Sequence, residues 1–298
     1  MEYVYCDLCG RDDAALYLER GDRFSTHVFQ YVVCRGCGLI YLNLRPDSDS
    51  LLSYYPTHYE AYQPLQTLPR AERWKRLRAV QTLARFVCHY RANGRLLDIG
   101  CGTGEFLHEM QKLGWEVEGI EPSNYASTIA KKYYYLRVFV GPVEKFEGLQ
   151  STYDVITMWD VLEHLSSPSS IMRRVYYWLR DDGILIFSTP NIMSFDAYLF
   201  GKWWIGWDAP RHLYLFPPAT LNRLLNQTGF RIIAKRCILG VQGSFRLSYQ
   251  FWLSDKPRLL YKLLKPLEAV FPVVLWPYKQ LSYLLQRGPI ITIVAQKS

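Results

Sequence analysis

Four cysteines fall into two copies of one pattern, Cys6-Asp-Leu-Cys9-Gly10 and Cys34-Arg-Gly-Cys37-Gly38, with twenty-four residues between the copies. Each copy places two thiolates at one tight turn, and the glycine that follows lets the backbone fold back over an ion. Four thiolates suit the closed tetrahedral shell of structural zinc, which leaves no open position for chemistry. A redox role for either pair is the weaker reading, since neither opens a helix within a βαβ unit. Between the copies, His27-Val-Phe-Gln-Tyr-Val-Val and Leu39-Ile-Tyr-Leu read as short strands of a zinc ribbon. His27 reads there as an exposed strand residue rather than a fifth ligand.

A second chemical signature is Arg95-Leu-Leu-Asp98-Ile-Gly100-Cys101-Gly102-Thr103-Gly104-Glu-Phe. A short apolar strand ends in a carboxylate, and glycines at alternate positions lead into a helix beginning near Glu105. The glycines allow a ligand to approach the main chain with no Cβ in the way. The third glycine falls one residue short of the G-x-G-x-x-G dinucleotide fingerprint, and no Lys-Ser/Thr follows for a phosphate loop. Asp98 would repel a pyrophosphate but suits an amino group or a cation. The next strand, Trp115-Glu-Val-Glu-Gly-Ile-Glu121, ends in a second carboxylate seventeen residues after Gly104. In a doubly wound sheet that position lies beside a ribose, where a carboxylate accepts from two hydroxyls. Val143 and Glu144, after a third strand-like unit, are placed to border an adenine.

Further on, Tyr153-Asp-Val-Ile-Thr-Met-Trp159-Asp160 runs into a turn carrying Glu163 and His164, and Asp208-Ala-Pro-Arg211-His212 follows forty-eight residues after it. If a helix starts at the turn, residues 160, 163 and 164 share one face. Two mechanisms fit these side chains. His212 or His164 is a general base with an ordinary pKa near 6.5, or Asp160, Glu163, His164 and His212 hold a divalent cation that acidifies an acceptor hydroxyl. The base role of His212 is the preferred one, because polar loop residues among aromatics usually serve a ligand.

Taken in order, these motifs resemble the class I S-adenosylmethionine-dependent methyltransferases, over about residues 94–237. The resemblance implies that Asp98, Gly100, Gly102 and Gly104, with Cys101 and Thr103 between them, contact the methionine end of S-adenosylmethionine. It implies that Glu121, beside Pro122, holds the ribose, and that Trp159 and Asp160 close over the sulfonium. The Asn/Asp-Pro-Pro-Tyr type of loop used for exocyclic amines is absent after the fourth strand. In its place, the Asp160, Glu163, His164 and His212 set is similar to the Glu-x-x-Glu-His plus distant His of metal-assisted small-RNA 2′-hydroxyl methyltransferases and of ubiquinone-pathway O-methyltransferases. It departs from them by Asp160 in place of the first Glu. With its zinc-binding N-terminus the chain also resembles bacterial methyltransferases of sugar and cell-surface glycan modification. Deoxysugar C-methyltransferases share that N-terminus but are longer.

The elements that must position these residues follow from period and punctuation. Strands alternating with helical stretches from 95 to 190 imply an α/β fold, a doubly wound Rossmann-like parallel sheet with ligands at the carboxyl ends of its strands. Residues 1–60 form the zinc ribbon, 61–92 a linker and basic helix, and 93–298 the catalytic domain. From Pro46 to Pro69 a stretch rich in Tyr, Ser and Pro carries Tyr54, Tyr55, Tyr59 and Tyr62 as aromatic anchors, and the helix over 70–91 sets Trp74, Leu77, Val80, Leu83, Ala84 and Val87 near a 3.6 period. Within the catalytic domain, aromatic residues crowd 192–218 as a lid over the acceptor, alternatively as core. A hydrophobic, basic insertion at 241–288 separates the last two strands. It reads as a helical hairpin packed on the cleft or on a second subunit, ahead of a peripheral membrane contact.

Composition sets the outer bounds. With 298 residues, 49% hydrophobic and 21% charged, the chain can bury a core and is too little charged for disorder. The first residues lack the basic and apolar regions of a secretory signal, so a cytoplasmic, reducing setting is expected, at most at the inner face of a membrane. Net charge runs −4 over residues 1–60, +6 over 61–92, zero over 93–240 and +6 over 241–298. An acidic zinc domain disfavours nucleic acid as partner and an RNA methyltransferase as function. The expected enzyme is an O-methyltransferase acting on a sugar, a glycan precursor or a related small metabolite. Sugar C-methylation and a non-enzymatic, cofactor-binding scaffold stand as alternatives.

Overall fold

Residues whose side chains are apolar on both faces become the inner strands of a parallel sheet, because helices cover such a sheet on either side. In the computed structural model, which describes residues 1–55 and 62–298, β4 (Arg95–Ile99), β5 (Glu116–Glu121), β6 (Val138–Val140), β7 (Tyr153–Trp159) and β8 (Leu179–Pro190) form that parallel array. The hairpin partners β10 (Phe230–Arg236) and β11 (Ile290–Lys297) complete seven strands in the order β10-β11-β8-β7-β4-β5-β6, with β11 antiparallel to both neighbours. Order reverses between β4 and β7, which opens the ligand crevice there. The expected doubly wound sheet is present. The Tyr59 anchor and the expected boundary between residues 60 and 61 lie outside the described residues.

A second sheet has four strands, β1 (Ala14–Gly21), β2 (Val28–Cys34), β3 (Ile40–Leu42) and β9 (Tyr214–Leu215). The fourth strand comes from the catalytic part of the chain. Ile40 pairs with Leu215 and Tyr41 with Tyr214, and the Leu42 amide donates to the Leu213 carbonyl at 2.8 Å. The apolar side chains of this sheet, Tyr31, Leu39, Ile40 and Leu42, belong to the same buried cluster as Leu97, Ile99 and Phe187 of the large sheet. A short turn of helix, α1 (Ser48–Leu51), leads away from it.

The opposite face of the large sheet is covered by α2 (Arg70–Tyr90) and α3 (Glu105–Lys112), through Ala84, Val87, Phe106, Leu107 and Met110. The stripe on α2 is shorter than its spacing suggests. Trp74 stands 56% exposed with the Arg78 guanidinium 4.3 Å over its ring. Helix α4 (Asn124–Tyr134) starts at Ser123, whose side chain accepts from the Ala126 amide, a cap that satisfies one of the free amides of the first turn. Helix α5 (Pro168–Trp178) is capped from the ribbon instead: Asp7, between the first two cysteines, accepts from the Ser169 amide at 2.8 Å and the Ser167 hydroxyl at 2.6 Å.

The aromatic stretch over 192–218, read as a lid or alternatively as core, contains α6 (Phe195–Phe200) and β9, and Phe200, Trp204, Trp207, Tyr214 and Phe216 are core residues. The reason is that both sheets meet here and need large side chains to fill the junction; Tyr198 alone among these rings is almost fully exposed, at 93%. After α7 (Pro218–Gln227) and β10, the insertion supplies α8 (Val241–Ser254), α9 (Arg258–Leu264), α10 (Phe271–Val274) and α11 (Trp276–Leu284). It is fastened to α6 by Phe245, whose ring meets Phe200 at 5.1 Å and Tyr278 at 5.4 Å.

Gly104 is where the first crossover turns, at a φ of +88°, and a Cβ there would lie 2.6 Å from Leu136 Cδ1 and 2.9 Å from Ala130 Cβ. Gly104→Ala combines positive-φ strain with overpacking and should destabilise the protein by about 2–4 kcal/mol, read as a lower urea midpoint at unchanged slope.

Candidate active site

The crevice at the β4–β7 reversal carries two buried carboxylates. Asp98 ends β4 at 2% exposure and accepts from the Thr157 hydroxyl at 2.6 Å. Burial pushes its pKa up to about 8 against the hydrogen bond from Thr157, and the Glu121 charge adds to the rise. Glu121 ends β5 equally buried, and burial raises its pKa although the Ser123 and Gly102 amides donate to it, each at 2.8 Å, and Tyr62 hydrogen-bonds it. Two enclosed carboxylates with no cation between them form a site that prefers a positive, hydroxyl-bearing ligand.

The loop above is shaped by left-handed glycines. Gly100, Gly102 and Gly104 have φ of +77°, +54° and +88°. A Cβ on Gly100 would lie 2.5 Å from Val161 Cγ2, whereas one on Gly102 would meet nothing within 4 Å. Gly102 therefore presents bare main chain to open space, as a ligand cradle requires. Thr103 is turned inward, donating to Glu105 at 2.5 Å and accepting from Arg76 at 2.9 Å. Cys101 is buried beneath the loop, where a Cβ on Gly119 would touch its sulfur. Both side chains are buried.

Of the other expected donor contacts, Val143 is buried in a 3-10 turn (Val143–Lys145), and Glu144 is exposed, accepting from the Ser166 hydroxyl at 2.9 Å. Pro122 is exposed beside Glu121. Trp159 packs edge-on against Phe106 at 5.4 Å, and its buried indole nitrogen has no partner among the described residues. Two contributors were not expected. Arg76 of α2 clamps Thr103 and, at 3.1 Å, Glu105, and Tyr62 of the linker reaches Glu121. The basic helix and the tyrosine-rich linker were visible in sequence, but only the chain path brings them to the glycine loop.

No α-helix starts at the 160–164 turn. Asp160 has φ +55°, and Leu162–His164 is a single 3-10 turn. The three residues consequently do not share a helical face. Asp160 exchanges hydrogen bonds with Ser188, its carboxylate accepting at 2.7 Å and its amide donating at 2.9 Å. Glu163, His164 and His212 instead converge, with ligand atoms all within 4.8 Å of one another. The His164 Nδ1–H donates to the Arg211 carbonyl and the His212 Nδ1–H to the Gly206 carbonyl, both at 2.8 Å. That fixes the tautomers and, among the described residues, leaves both Nε2 atoms without a hydrogen bond. His212 Nε2 lies 4.0 Å from Glu163 Oε1, a buried oxygen without a hydrogen-bond partner among the described residues, while Oε2 accepts from Thr189 at 3.1 Å.

Burial drives all three toward neutrality. Glu163 is raised well above the carboxylate range by burial, with the Asp160 charge adding to it; His164 is pushed down to about 3 by burial and its histidine neighbour; burial also lowers His212. Both imidazoles keep partial solvent access despite dense surroundings, the condition of groups lining a concave wall.

The N-terminal unit holds this loop in place. Arg211 is completely buried, with two nitrogens on Asp208 at 2.8 and 3.0 Å and a third on Asp22 and the Tyr54 carbonyl, both at 2.9 Å. Tyr31 of β2 donates to the carbonyls of Trp207 and, at 2.7 Å, His212. Tyr55 contacts His164 Nδ1 at 3.1 Å.

The cysteines form a separate cluster. Cys6 and Cys37 sulfurs are 3.4 Å apart, Cys9 and Cys34 sulfurs 3.5 Å, and all four lie within 4.8 Å. These spacings approach the roughly 3.8 Å edge of a tetrahedron with zinc–sulfur bonds near 2.3 Å. Gly10 and Gly38 adopt the left-handed turns expected of them, and His27 stands outside the cluster. The donor set fits zinc.

Residues 70–235 match the family described as "Methyltransferase domain", more than half of the chain. The chain belongs to this family. Its large sheet is the α/β Rossmann-like methyltransferase fold. Ubiquinone biosynthesis O-methyltransferase from Burkholderia lata is 34% identical over 118 residues, 37% of this chain and 49% of that one. The mitochondrial ubiquinone biosynthesis O-methyltransferase of Schizosaccharomyces pombe is 34% identical over 102 residues, 32% of this chain and 37% of that one. The chain thus spans about half or less of the length of these curated relatives. Among solved structures, magnesium protoporphyrin IX methyltransferase from Synechocystis with bound SAH has a TM-score of 0.54 at 15% identity, covering 85% of this chain and 100% of that one. A SAM-dependent methyltransferase from Archaeoglobus fulgidus has a TM-score of 0.50 at 18% identity, covering 74% and 94%. These two carry the fold.

Two measurements probe the site. Because the folded Asp98 holds its proton to about pH 8, the native state binds more protons than the unfolded chain between the ordinary carboxylate pKa and that value. Stability of the ligand-free methyltransferase should fall as pH rises across this window, and Asp98→Asn should flatten the dependence of Tm on pH. Removing Arg211 takes the ion pair from buried Asp22 and, among the described residues, leaves Asp208 only Arg23, at 3.6 Å, so Arg211→Ala should cost about 3–5 kcal/mol in urea unfolding.

Proposed function

We propose that this methyltransferase transfers the methyl group of S-adenosylmethionine to a hydroxyl of a small metabolite, with Glu163, His164 and His212 holding a divalent cation beside the acceptor. One observation carries the reading: a buried, unpartnered Glu163 oxygen faces imidazoles whose Nδ1 protons are committed to carbonyls. Neutral imidazole is the ligand form of histidine, and carbonyl acceptors on the far nitrogen are the usual support of a metal-bound ring. The curated relatives, named as O-methyltransferases, support a hydroxyl acceptor.

The reaction is an in-line displacement. An acceptor oxygen forms a bond to the methyl carbon, the carbon–sulfur bond breaks, and the acceptor proton leaves. Asp98 and Glu121 would hold the donor's cationic and hydroxyl-bearing parts, while Gly102 lets its backbone approach. A bound divalent cation supplies Lewis acidity that lowers the pKa of a hydroxyl. The second reading keeps His212 as the general base, favoured by its Nδ1 proton being committed to the Gly206 carbonyl and by its partial exposure.

An open cavity of about 690 Å³ beyond β8 is bordered by Tyr17, Phe195, Tyr198, Lys202, Trp207 and Arg287; Asp98, Gly102, Glu163, His164 and His212 do not line it, so it would take a part of the acceptor remote from the transferred methyl group. Ring-bearing walls suit a sugar or aromatic ring, and the two cations suit an anionic group on it. The relatives' names speak for a ubiquinone-type metabolite as much as for a sugar. Cys6, Cys9, Cys34 and Cys37 would hold zinc as a structural ion, steadying the ribbon that carries Tyr31 and Asp22.

The test pairs binding with turnover. Equilibrium dialysis of zinc-loaded protein against Mn²⁺ should show a second, weaker site that Glu163→Gln and His164→Ala abolish, with calorimetric binding of S-adenosylmethionine retained. Transfer of labelled methyl to hydroxyl-bearing extract metabolites should fall about a hundredfold in Glu163→Gln. Unchanged turnover in Glu163→Gln with loss in His212→Ala would replace the metal by the base; label on nitrogen or carbon would overturn the hydroxyl acceptor.

A further inference from the structure

A β-hairpin such as β10–β11 can be closed by a few residues, yet here it carries residues 241–288. Buried anchors of this insertion, Leu253, Leu275 and Ser282, together with the Phe245 and Tyr278 rings, fasten it to the enzyme. What the anchors leave over is unusual. Leu259, Leu263, Val273, Val274, Trp276 and Leu284 stand 60–78% exposed, the densest run of large apolar side chains on the described surface. Scattered exposed apolar residues need no explanation, but a concentrated set marks an interaction surface.

We propose that helices α9 to α11 dock the enzyme on the surface of an anionic lipid bilayer. Charge selects this occupant. Residues 256–287 contain six basic side chains and one carboxylate, Glu268. That carboxylate is already neutralised by Lys265 at 2.8 Å and Arg246 at 3.2 Å. Arg258 and Lys262 form no ion pair among the described residues and flank the exposed leucines of α9. A second copy of this chain would set the same uncompensated cations against themselves across a two-fold interface, whereas anionic headgroups complement them. Trp276 and Tyr261 add the amphipathic rings that settle at headgroup level. No described helix is long and apolar enough to cross a membrane, so the contact is superficial, with leucines and valines entering the headgroup boundary. Arg287, at the end of the same insertion, also lines the 690 Å³ cavity, which places that cavity next to the docking face.

Co-sedimentation of the full chain with phosphatidylcholine vesicles, with and without phosphatidylglycerol, tests this. The protein should pellet with the anionic vesicles, not with the neutral ones, and less so as salt rises. Val273→Glu combined with Leu284→Glu should weaken vesicle binding at least tenfold, and Lys262→Ala roughly fivefold. Calorimetric binding of S-adenosylmethionine should be unchanged in both variants, which separates lost docking from lost folding and from failure of the methyltransferase reading. Absence of pelleting with anionic vesicles, or equal pelleting with neutral ones, would overturn the proposal. So would a wild-type dimer in the ultracentrifuge that Val273→Glu dissociates, since the face would then be a subunit contact.

Discussion

A guanidinium with no access to water is the interaction on which this architecture depends. Arg211 must find an acceptor for its donors or the loop carrying His212 cannot stay folded. Asp208 supplies acceptors from three residues away, but Asp22 and the Tyr54 carbonyl come from the N-terminal unit. Burial works to raise the Asp208 pKa, and Arg211 nonetheless holds it below the ordinary value. The buried ion network thereby joins the ribbon to the histidine pair with fixed geometry, and the neighbouring Tyr31 and Tyr55 contacts work in the same direction.

Around that joint the two halves of the site obey different electrostatics. Toward β4 and β5, carboxylates are enclosed without a cation and gain from a positive ligand. Toward β7 and β8, an acid and two bases are all pressed toward neutrality, with one Glu163 oxygen left without a hydrogen-bond partner among the described residues. Asp160 and Trp159 sit where the halves meet, one bonded to Ser188 and the other against Phe106. A fold that positions a donor by charge and an acceptor by coordination or proton transfer needs both halves at the carboxyl ends of adjacent strands, which the reversal between β4 and β7 provides.

Much of this was legible in the sequence. The strand ends at Asp98 and Glu121, the left-handed glycines and the paired cysteines depend on local spacing, which sequence records directly. Whether a helix starts at the 160–164 turn was open in the sequence; none does, because Asp160 takes a left-handed conformation and bonds to Ser188 on a neighbouring strand. The aromatic run was equally ambiguous in composition: Trp204, Tyr214 and Phe216 fill the junction between two sheets, while Phe195 and Tyr198 border an open cavity. Arg76, Tyr62 and Asp22 could not be found from spacing at all. Each acts on a partner far away in sequence, and only the tertiary path connects them.

The pairing of β3 with β9 joins Ile40 to Leu215. During translation at about 5–20 residues per second, the ribosome therefore releases the first three strands roughly ten to thirty-five seconds before their final neighbour is made. Through that interval the nascent chain carries an unpaired edge at Ile40–Leu42, a template for wrong partners. Early capture of an ion by the four thiolates would give the growing polypeptide a rigid, short-lived shelter until its own later segment arrives.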